Sequence, residues 1–320
     1  MMDAVRAPHS ATRRSFACAR AWVAGWGTMM SVKKMPCFVA MLALLPAVPG
    51  CGRDAAGEHA ARMAAEHEGE TPRPTGAATA EPSGPVATED VAYAEIDGAA
   101  VTGYLAHPVQ TDGPFPGLIV IHEWWGLNDN IKAMTRRLAA EGYVALAVDL
   151  YGGKVASDRD GALGLMREAT DHPERAHDNL RQARGFLDTE RHVTGVGTIG
   201  WCFGGGWSLN AALTMPDVID ATVIYYGRLE TDPDKLRALT MPILGLFGEN
   251  DEGIPVETVR EFESALRSLG KPVDIRVYPG AGHAFANPSG ERYDPEAAED
   301  AWARTVEFLG RHLRAKRPVS

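Results

Sequence analysis

The sequence predicts an α/β fold with a mostly parallel central sheet, helices on both of its faces and an antiparallel hairpin at its N-terminal end. From about residue 91 onwards, short apolar runs alternate with longer amphipathic stretches, as strands and crossover helices do. Several runs are apolar throughout, which is typical of strands buried on both faces of a parallel sheet. Asp97-Gly98 joins the first two runs, and this dipeptide favours a tight hairpin turn.

The elements follow in chain order. The predicted strands are residues 92–96, 100–106, 117–122, 143–148, 195–200, 221–226, 243–247 and 274–277. The predicted helices are residues 130–141, 173–188, 203–215, 255–269 and 295–315. Pro173, Pro255 and Pro295 each stand at the start of a helix, where proline is tolerated because the first N–H groups have no partner within the helix. Together these elements predict a single domain over residues 91–320.

The first 51 residues are predicted to be an export signal. Lysines at 33–34 precede an apolar run, residues 37–48, that is too short to span a bilayer. A small residue directly before Cys51 is typical of a lipoprotein signal, in which the cysteine is lipidated. An ordinary signal peptide cut nearby and a plain apolar helix are the alternatives, and a start at Met30 or Met35 would give a signal of normal length. We therefore expect an exported protein, periplasmic or held at the membrane by a lipid.

Residues 52–90 are predicted to form a disordered tether. They contain no aromatic residue and are rich in Ala, Gly, Glu, Pro and Thr. Such a segment cannot bury enough apolar surface to fold by itself. The folded domain is accordingly expected to begin near Val91.

Charge and cysteine content exclude some classes of function. The chain carries a net charge of −10, and its first 50 residues hold six basic residues against one acidic residue, so the folded body is acidic. An acidic body argues against nucleic acid or an anionic membrane surface as a partner. Cys18, Cys37 and Cys51 all fall in the signal segment. Cys202 is then the single thiol of the mature body, which therefore forms no internal disulfide.

A nucleophile turn is predicted where the strand at 195–200 meets the next helix. The chain reads Gly200-Trp-Cys202-Phe-Gly204, with a glycine two positions to either side of the cysteine. This turn is so tight that flanking β-carbons would collide with neighbouring backbone, and its apex residue stands at a helix N-terminus. A free cysteine is usually a small buried side chain, but this context favours a nucleophile. The helix dipole also stabilises a thiolate.

Gly195, Gly197 and Gly200 also form a G-x-G-x-x-G pattern. A dinucleotide fingerprint should open the helix after a strand and be followed by an acidic residue about 20 positions on. Here the pattern lies within and before the turn, and Asp217 and Asp220 are better explained as part of the turn before the next strand. The nucleophile turn is the preferred interpretation.

Two further polar residues follow strands of the predicted sheet. Asp251 lies in the loop after the strand at 243–247, and His283 follows the strand at 274–277. Taken one at a time, an aspartate in a glycine-rich turn usually serves only to form the turn, and a histidine in a loop is usually just solvated. The chain order nucleophile, acid, histidine is nevertheless that of a catalytic triad in such a sheet. Glu249 is the competing acid, although its position nearer the strand favours Asp251 as the residue that orients the histidine.

Glu123 stands at the end of the strand at 117–122. One interpretation is that a carboxylate at this position merely caps a helix or pairs with a surface base. Its position at the sheet edge makes it a fourth candidate site residue. The backbone N–H of Trp124 stands where the second oxyanion donor of such a site arises, and the first is the N–H of Phe203.

Together these segments resemble the dienelactone hydrolases, or carboxymethylenebutenolidases. The resemblance covers about residues 92–313 and rests on the segments 200–204, 121–126, 149–151, 225–227, 251–255 and 283–285. It implies an α/β-hydrolase fold with a Cys202–His283–Asp251 triad. It also implies that Glu123 accepts the hydrogen bond of the resting thiol and gives it up when substrate arrives.

On the substrate side the chain departs from that family. An arginine closely following the histidine segment helps to hold the substrate carboxylate there, whereas this chain has Asn287. Arg159 and Arg167 are the candidates for a replacement charge. Aromatic side chains near the strand ends are expected to line a flat apolar pocket, although such residues are as often part of a core: Trp124, Trp125, Tyr151, Tyr225 and Tyr226.

The predicted reaction is attack of the Cys202 thiolate on an ester or lactone carbonyl, followed by hydrolysis of the thioester. A thiolate leaves a tetrahedral intermediate more readily than an alkoxide does, so enol, aryl and strained-lactone leaving groups are favoured. The alternatives are a binding or scaffold lipoprotein that keeps the fold without turnover, and acyl transfer to an acceptor other than water. No metal or cofactor is predicted, because His122-Glu123 lacks the second histidine of a zinc-binding helix and no phosphate loop is present.

Overall fold

A computed structural model describes residues 61–68, 70–71, 82–109 and 113–314. The chain divides into two units, residues 1–49 and 50–320, and all described residues belong to the second. The predicted signal segment, including the predicted lipidation site at Cys51, lies outside the described residues. No helix within the described ranges has the length and apolarity that crossing a membrane requires.

In this part of the chain eight strands form one sheet: β1 (Val86–Ile96), β2 (Ala99–Pro108), β3 (Gly117–Ile121), β4 (Val144–Val148), β5 (Val196–Trp201), β6 (Ala221–Tyr225), β7 (Ile243–Gly248) and β8 (Val273–Tyr278). Their order across the sheet is β1-β2-β4-β3-β5-β6-β7-β8. β1 pairs with β2, and β2 with β4, in antiparallel fashion, while all other neighbours are parallel. The predicted fold class, with its antiparallel N-terminal hairpin, is confirmed.

The helices lie on both faces of the sheet: α1 (Asp129–Ala140), α2 (Arg159–Asp171), α3 (Pro173–Thr189), α4 (Phe203–Thr214), α5 (Pro233–Leu236), α6 (Val256–Ser268) and α7 (Pro295–His312). Alternate residues of β3 enter two separate cores. Leu118 and Val120 pack with α1, α2 and α7, whereas Ile119 and Ile121 pack with α3, α4 and α6. This alternation is the side-chain period of a strand buried on both faces.

Two of these seven helices were not predicted from the sequence. α2 contains Gly161 and Gly164, which lower helix propensity, and α5 is a single turn that begins at Pro233. The N-terminal boundary also differs from the prediction. β1 begins at Val86 rather than at residue 92, and residues 61–66 are helical. Part of the predicted tether is therefore folded structure, because it finds its partners in the domain rather than within itself.

The sheet brings the ends of its parallel strands to one edge. β3, β4, β5, β6, β7 and β8 run in the same direction, so their carboxyl ends lie side by side. Ligands of open α/β sheets bind at this edge. The three predicted triad residues each follow one of these strand ends: Cys202 follows β5, Asp251 follows β7 and His283 follows β8.

Candidate active site

Cys202 occupies the sharp turn between β5 and α4. Its backbone has φ 55° and ψ −118°, a conformation that is costly for any residue with a β-carbon and that persists only where the surroundings impose it. The N–H of Cys202 donates to the carbonyl oxygen of Tyr225 at 3.0 Å. The turn is thus anchored to β6, and the cysteine is the residue directly before the first turn of α4.

The glycines around Cys202 are required by close backbone contacts. A β-carbon on Gly200 would overlap the carbonyl oxygen of Gly204, and one on Gly204 would overlap the carbonyl oxygen of Ile121. Both obstacles are main-chain atoms, so no side-chain adjustment can relieve them. The segment from Gly200 to Gly204, called the elbow below, is therefore locked between β3 and its own helix.

His283 and Asp251 form a buried hydrogen-bonded pair. The Nδ1 of His283 donates to Oδ2 of Asp251 at 2.8 Å, and both side chains are almost fully buried. The other carboxylate oxygen of Asp251 accepts from the N–H of Ile254 at 2.7 Å, which fixes its orientation. Glu249, the competing acid, is exposed and accepts from the N–H of Gly280. The carboxylate that orients the imidazole is that of Asp251.

The Cys202 thiol and the His283 imidazole stabilise each other's charged forms. Burial opposes ionisation of Cys202, but the charges of His283 and His67 and their hydrogen bonds with the sulfur together outweigh it and lower the pKa of the thiol to about 6. Burial likewise opposes a charge on His283, yet Asp251 and the Cys202 thiolate raise the pKa of the imidazole well above its usual value. At neutral pH the arrangement favours a thiolate–imidazolium pair.

Glu123 is buried beside this pair. Its Oε2 accepts a hydrogen bond from Nδ2 of Asn287 at 2.6 Å, and Oδ1 of Asn287 accepts in turn from Nδ2 of Asn130 at 3.2 Å. Burial, and secondarily the negative charge of Cys202, raise the pKa of Glu123 to about 8. At neutral pH the carboxyl group is therefore mostly protonated, and a second negative charge next to the thiolate is avoided.

The two backbone N–H groups predicted to bind an oxyanion follow the ends of β3 and β5. Phe203 is the first residue of α4, and Trp124 follows Glu123 after β3. Within the described ranges neither N–H donates to any acceptor. Unpaired donors at a helix N-terminus are suited to a developing negative charge.

The predicted substrate-binding residues divide into two groups. Trp125 and Tyr151 are buried near the site: Trp125 packs against Trp124 with ring centroids 4.9 Å apart, and Tyr151 packs against Phe203 at 5.4 Å. Tyr225 instead binds Thr305 of α7 through its hydroxyl at 2.7 Å.

The two polar members of that prediction are bound by other side chains. Asn287 is buried against Glu123. Arg159, at the start of α2, is half-exposed and pairs with Asp160 at 3.2 Å. Asn287 also lines a small cavity with Trp125 and Arg292, whereas Arg159 lies away from it.

Tyr226, the residue directly after β6, faces the site in place of Tyr225. Its ring centroid lies 5.1 Å from that of His283, and its backbone φ is 36°. Several buried polar atoms around Cys202 have no oxygen or nitrogen partner within the described ranges: Nε2 of His67, Nε2 of His283, Nε1 of Trp124 and the hydroxyl groups of Tyr151 and Tyr226. Buried polar groups normally have partners, so these atoms are the unsatisfied polar groups of the candidate site.

The described residues 61–68 and 70–71, called the cover segment below, lie over Cys202 and were not predicted to take part in the site. Met63 and His67 are buried, with 1% and 2% of their surface exposed. The His67 ring lies 4.4 Å from that of Trp124 and 5.4 Å from that of His283. A β-carbon on Gly253 would come within 2.6 Å of Glu66, so the segment also packs on the loop after β7. Cys202 is only 4% exposed beneath it.

Arg292 holds the cover segment by its charges and was likewise missed. Its guanidinium binds Glu70 at 2.6 Å and Glu66 at 3.5 Å, and it also contacts Nδ1 of His67 at 3.0 Å. The pKa of Glu70 is lowered because its hydrogen bonds and ion pairs with His67 and Arg292 outweigh the opposing effect of burial. The sequence signal was limited to one histidine in an acidic stretch, which is usually a solvated surface.

The sequence matches one protein family and is similar to several known proteins. The model described as the dienelactone hydrolase family matches residues 101–313. "Protein usf" of Aquifex pyrophilus is 38% identical over 226 residues, which cover 68% of this chain and 96% of that protein. A Saccharolobus solfataricus protein provisionally named a carboxymethylenebutenolidase is 34% identical over 259 residues, covering 68% of this chain and 97% of its own.

Solved structures agree. One from Klebsiella pneumoniae subsp. pneumoniae, provisionally titled a dienelactone hydrolase, has a TM-score of 0.63 and 28% identity, covering 71% of this chain and all of its own. A dienelactone hydrolase-like promiscuous phosphotriesterase from metagenomic libraries has a TM-score of 0.65 and 25% identity, covering 72% and 99% of the two chains.

Proposed function

We propose, because this chain belongs to the dienelactone hydrolase family, that it hydrolyses activated carboxylic esters and lactones with Cys202 as the nucleophile. Membership of the family makes it a carboxylic ester hydrolase. The assignment of the nucleophile is carried by one observation: a thiol on a strained turn lies beside a buried imidazole whose other nitrogen is bound by a carboxylate. That arrangement of nucleophile, base and orienting acid is what covalent catalysis requires.

The first half of the reaction makes a thioester. The Cys202 thiolate adds to the carbonyl carbon, and the negative charge moves to the carbonyl oxygen, where the N–H groups of Phe203 and Trp124 can bind it. The tetrahedral intermediate then collapses, the bond to the leaving oxygen breaks, and the His283 imidazolium donates its proton to that oxygen. An acyl-thioester and a neutral imidazole remain.

The second half returns the enzyme to its resting state. Neutral His283 removes a proton from a water molecule, and the resulting hydroxide adds to the thioester carbonyl carbon. The second tetrahedral intermediate collapses with Cys202 leaving as a thiolate, and the carboxylic acid product departs. Asp251 keeps the imidazole in the tautomer that has Nε2 available for both transfers.

Glu123 controls the charge around the nucleophile. With a pKa of about 8 it holds a proton at a pH at which Cys202, with a pKa of about 6, does not. A proton shared between the two groups therefore resides on the carboxyl group. The thiolate is left reactive, and Asn287 fixes the carboxyl group in place.

The substrate class follows from the leaving group. Since a thiolate is expelled more readily than a simple alkoxide, productive turnover needs an enolate, a phenolate or a ring-strained leaving oxygen. The aromatic rings of Trp125 and Tyr151 favour a flat, apolar acyl or leaving group. Arg292, which here binds the carboxylate of Glu70, can bind a substrate carboxylate when the cover segment is displaced.

The test compares the parent protein with the Cys202→Ala variant on a panel of aryl esters and lactones. We expect the substitution to lower kcat/KM by at least about 1000-fold, which is the scale of removing a triad nucleophile. An acyl-thioester on Cys202, detected by mass spectrometry after a rapid acid quench of an aryl ester reaction, would identify the intermediate. Equal rates for the two proteins would rule out the cysteine mechanism.

A further inference from the structure

The cover segment brings a third metal-binding group to the nucleophile. One ligand atom each from His67, Cys202 and His283 lie within 4.8 Å of one another, and all three residues are buried. In the sequence these residues are far apart, so their spacing carried no metal signal. Only the folding of the cover segment over the elbow brings them together.

Both imidazoles are already oriented as metal ligands are. The Nδ1 of His67 lies 2.6 Å from the carboxylate of Glu70 and 3.0 Å from the guanidinium of Arg292, and the Nδ1 of His283 lies 2.8 Å from Asp251. In each ring the Nε2 atom is buried and has no oxygen or nitrogen partner within the described ranges. Metal-binding histidines in proteins are oriented in this way: one ring nitrogen is hydrogen-bonded to a carboxylate, and the other is available to the metal.

The ligand set selects the class of cation. One thiolate and two imidazoles suit borderline-soft divalent ions such as Zn²⁺ and Co²⁺, whereas Mg²⁺ and Ca²⁺ need oxygen ligands. Three protein ligands leave a fourth tetrahedral position for water.

A second group, formed by Glu66, Asp251 and His283, also brings ligand atoms within 4.8 Å of one another. It is the weaker candidate, because both oxygens of Asp251 already accept hydrogen bonds, from Ile254 and His283.

We propose that His67, Cys202 and His283 form a binding site for a zinc-class divalent cation, and that the bound cation holds the cover segment closed over the nucleophile. Binding replaces the proton shared by Cys202 and His283 with the cation, and that proton is released to solvent. The sulfur and the imidazole nitrogen are then both coordinated, so neither can act on an ester. The inhibitory consequence rests on the proposed function, whereas the binding site does not.

Binding is tested without reference to activity by titrating the metal-free full-length chain with Co²⁺. We expect one equivalent to bind, with the near-ultraviolet band of a cobalt–thiolate bond and the visible bands of four-coordinate Co²⁺. The Cys202→Ser variant should lose the near-ultraviolet band. Zn²⁺ should displace Co²⁺ from the parent protein.

Two substitutions in the cover segment show whether it supplies a ligand. His67→Gln should weaken Co²⁺ binding by at least about 10-fold. Glu70→Gln, which removes the carboxylate that orients the His67 ring, should weaken it by about 10-fold as well. His172→Gln, at an exposed histidine between α2 and α3, is the matched control and should bind as the parent does. Unchanged affinity in His67→Gln, or a parent spectrum without a thiolate band, would overturn the site.

The inhibitory consequence is tested separately with an aryl ester. Saturating Zn²⁺ should abolish hydrolysis by the parent protein, and removal of the ion by a chelator should restore it. In the His67→Gln variant, inhibition should require at least about 10-fold more Zn²⁺. Full activity at saturating Zn²⁺ would overturn the inhibitory role. Cobalt bands of the expected kind in a protein without esterase activity would instead refute the proposed function and leave the metal site standing.

Discussion

The elbow and the cover segment meet over the same sulfur atom but are held by different forces. The elbow is fixed by main-chain contacts: Gly204 lies against the carbonyl oxygen of Ile121 so closely that a β-carbon cannot be accommodated. The cover segment has one large buried apolar side chain, Met63. Its other attachments include the ring of His67, which is tilted against that of Trp124, and the ion pairs with Arg292.

This difference separates what must stay fixed from what can move. Backbone packed on backbone has no partly displaced state, so the strained Cys202 conformation lasts as long as the fold does. Burial of Met63 contributes about 1.5 to 3 kcal/mol at most, and the net gain from the largely buried ion pairs is small, because the cost of desolvating both charges offsets their attraction. The cover segment can therefore open at a cost of a few kcal/mol, which allows substrate to reach a nucleophile that is otherwise buried.

The largest effect on catalysis is expected from a substitution in the rigid part of the site that leaves the cover segment unchanged. Asp251→Asn should lower kcat/KM for an aryl ester by about 1000- to 10000-fold, because the amide no longer stabilises the imidazolium or selects the correct tautomer of His283. Steady-state kinetics of aryl ester hydrolysis measure this fall in kcat/KM. Glu249→Gln is the matched control, since Glu249 binds only the N–H of Gly280 within the described ranges.

If Glu249→Gln proved as damaging as Asp251→Asn, the acid would have been wrongly assigned. If neither substitution mattered, the hydrogen bond to Nδ1 would have no catalytic role. The thiol pKa gives a second measurement, because loss of the aspartate charge weakens the imidazolium that lowers it. We expect the pKa of Cys202 to rise in Asp251→Asn and to remain unchanged in Glu249→Gln.

The next effect concerns the rigidity of the elbow. Gly204→Ala should lower the free energy of unfolding by about 3 kcal/mol or more, since the added methyl group overlaps main-chain atoms of Ile121 and His122. Gly164→Ala in α2 is the matched control: nothing lies within 4 Å of its added methyl group. That substitution should raise stability by up to about 1 kcal/mol. Urea unfolding measures both, and a Gly204→Ala protein as stable as its parent would show that the elbow is less tightly packed than described.

The same contrast explains what could be predicted from the sequence. Strands and the elbow are specified by local patterns, namely apolar runs and paired glycines, so all eight strands and the position of Cys202 were predicted. α2 was missed because its two glycines weaken the helical pattern. The cover segment was missed because its contacts are long-range: an Ala- and Glu-rich stretch without aromatic residues gives no local sign that His67 will pack against Trp124.

The pH profile should show a smaller effect that reports on Glu123. Reaction of Cys202 with iodoacetamide should rise with pH until the thiol, whose pKa is about 6, is fully ionised. In ester hydrolysis, kcat/KM should then fall by about 10-fold above pH 8, because Glu123, with a pKa of about 8, becomes a second anion beside the developing oxyanion. Glu123→Gln should keep the acidic limb and lose the fall at high pH. An identical alkaline limb in the variant would assign that limb to another group.

The smallest effect, and the one that tests the cover segment itself, is expected from Glu70→Gln. The substitution removes the charge that binds Arg292 and the partner of His67, which should favour the open form by about 1 kcal/mol and thus by several-fold. A bulky maleimide needs the open form more than iodoacetamide does, so the ratio of their rates at Cys202 measures opening. That ratio should rise several-fold in Glu70→Gln and stay at the parent value in Glu68→Gln, an exposed glutamate two residues away.

The two reagents also separate opening from any change in the thiol. A change in thiolate population accelerates both reagents equally and leaves their ratio constant, whereas opening changes the ratio alone. Equal ratios in the parent, Glu70→Gln and Glu68→Gln proteins would mean that the ion pairs with Arg292 do not hold the segment. In that case burial of Met63 and the contact of the His67 ring with Trp124 would be sufficient to hold the segment. The elbow and the cover segment would then both be held by packing and would differ only in how much of it each has.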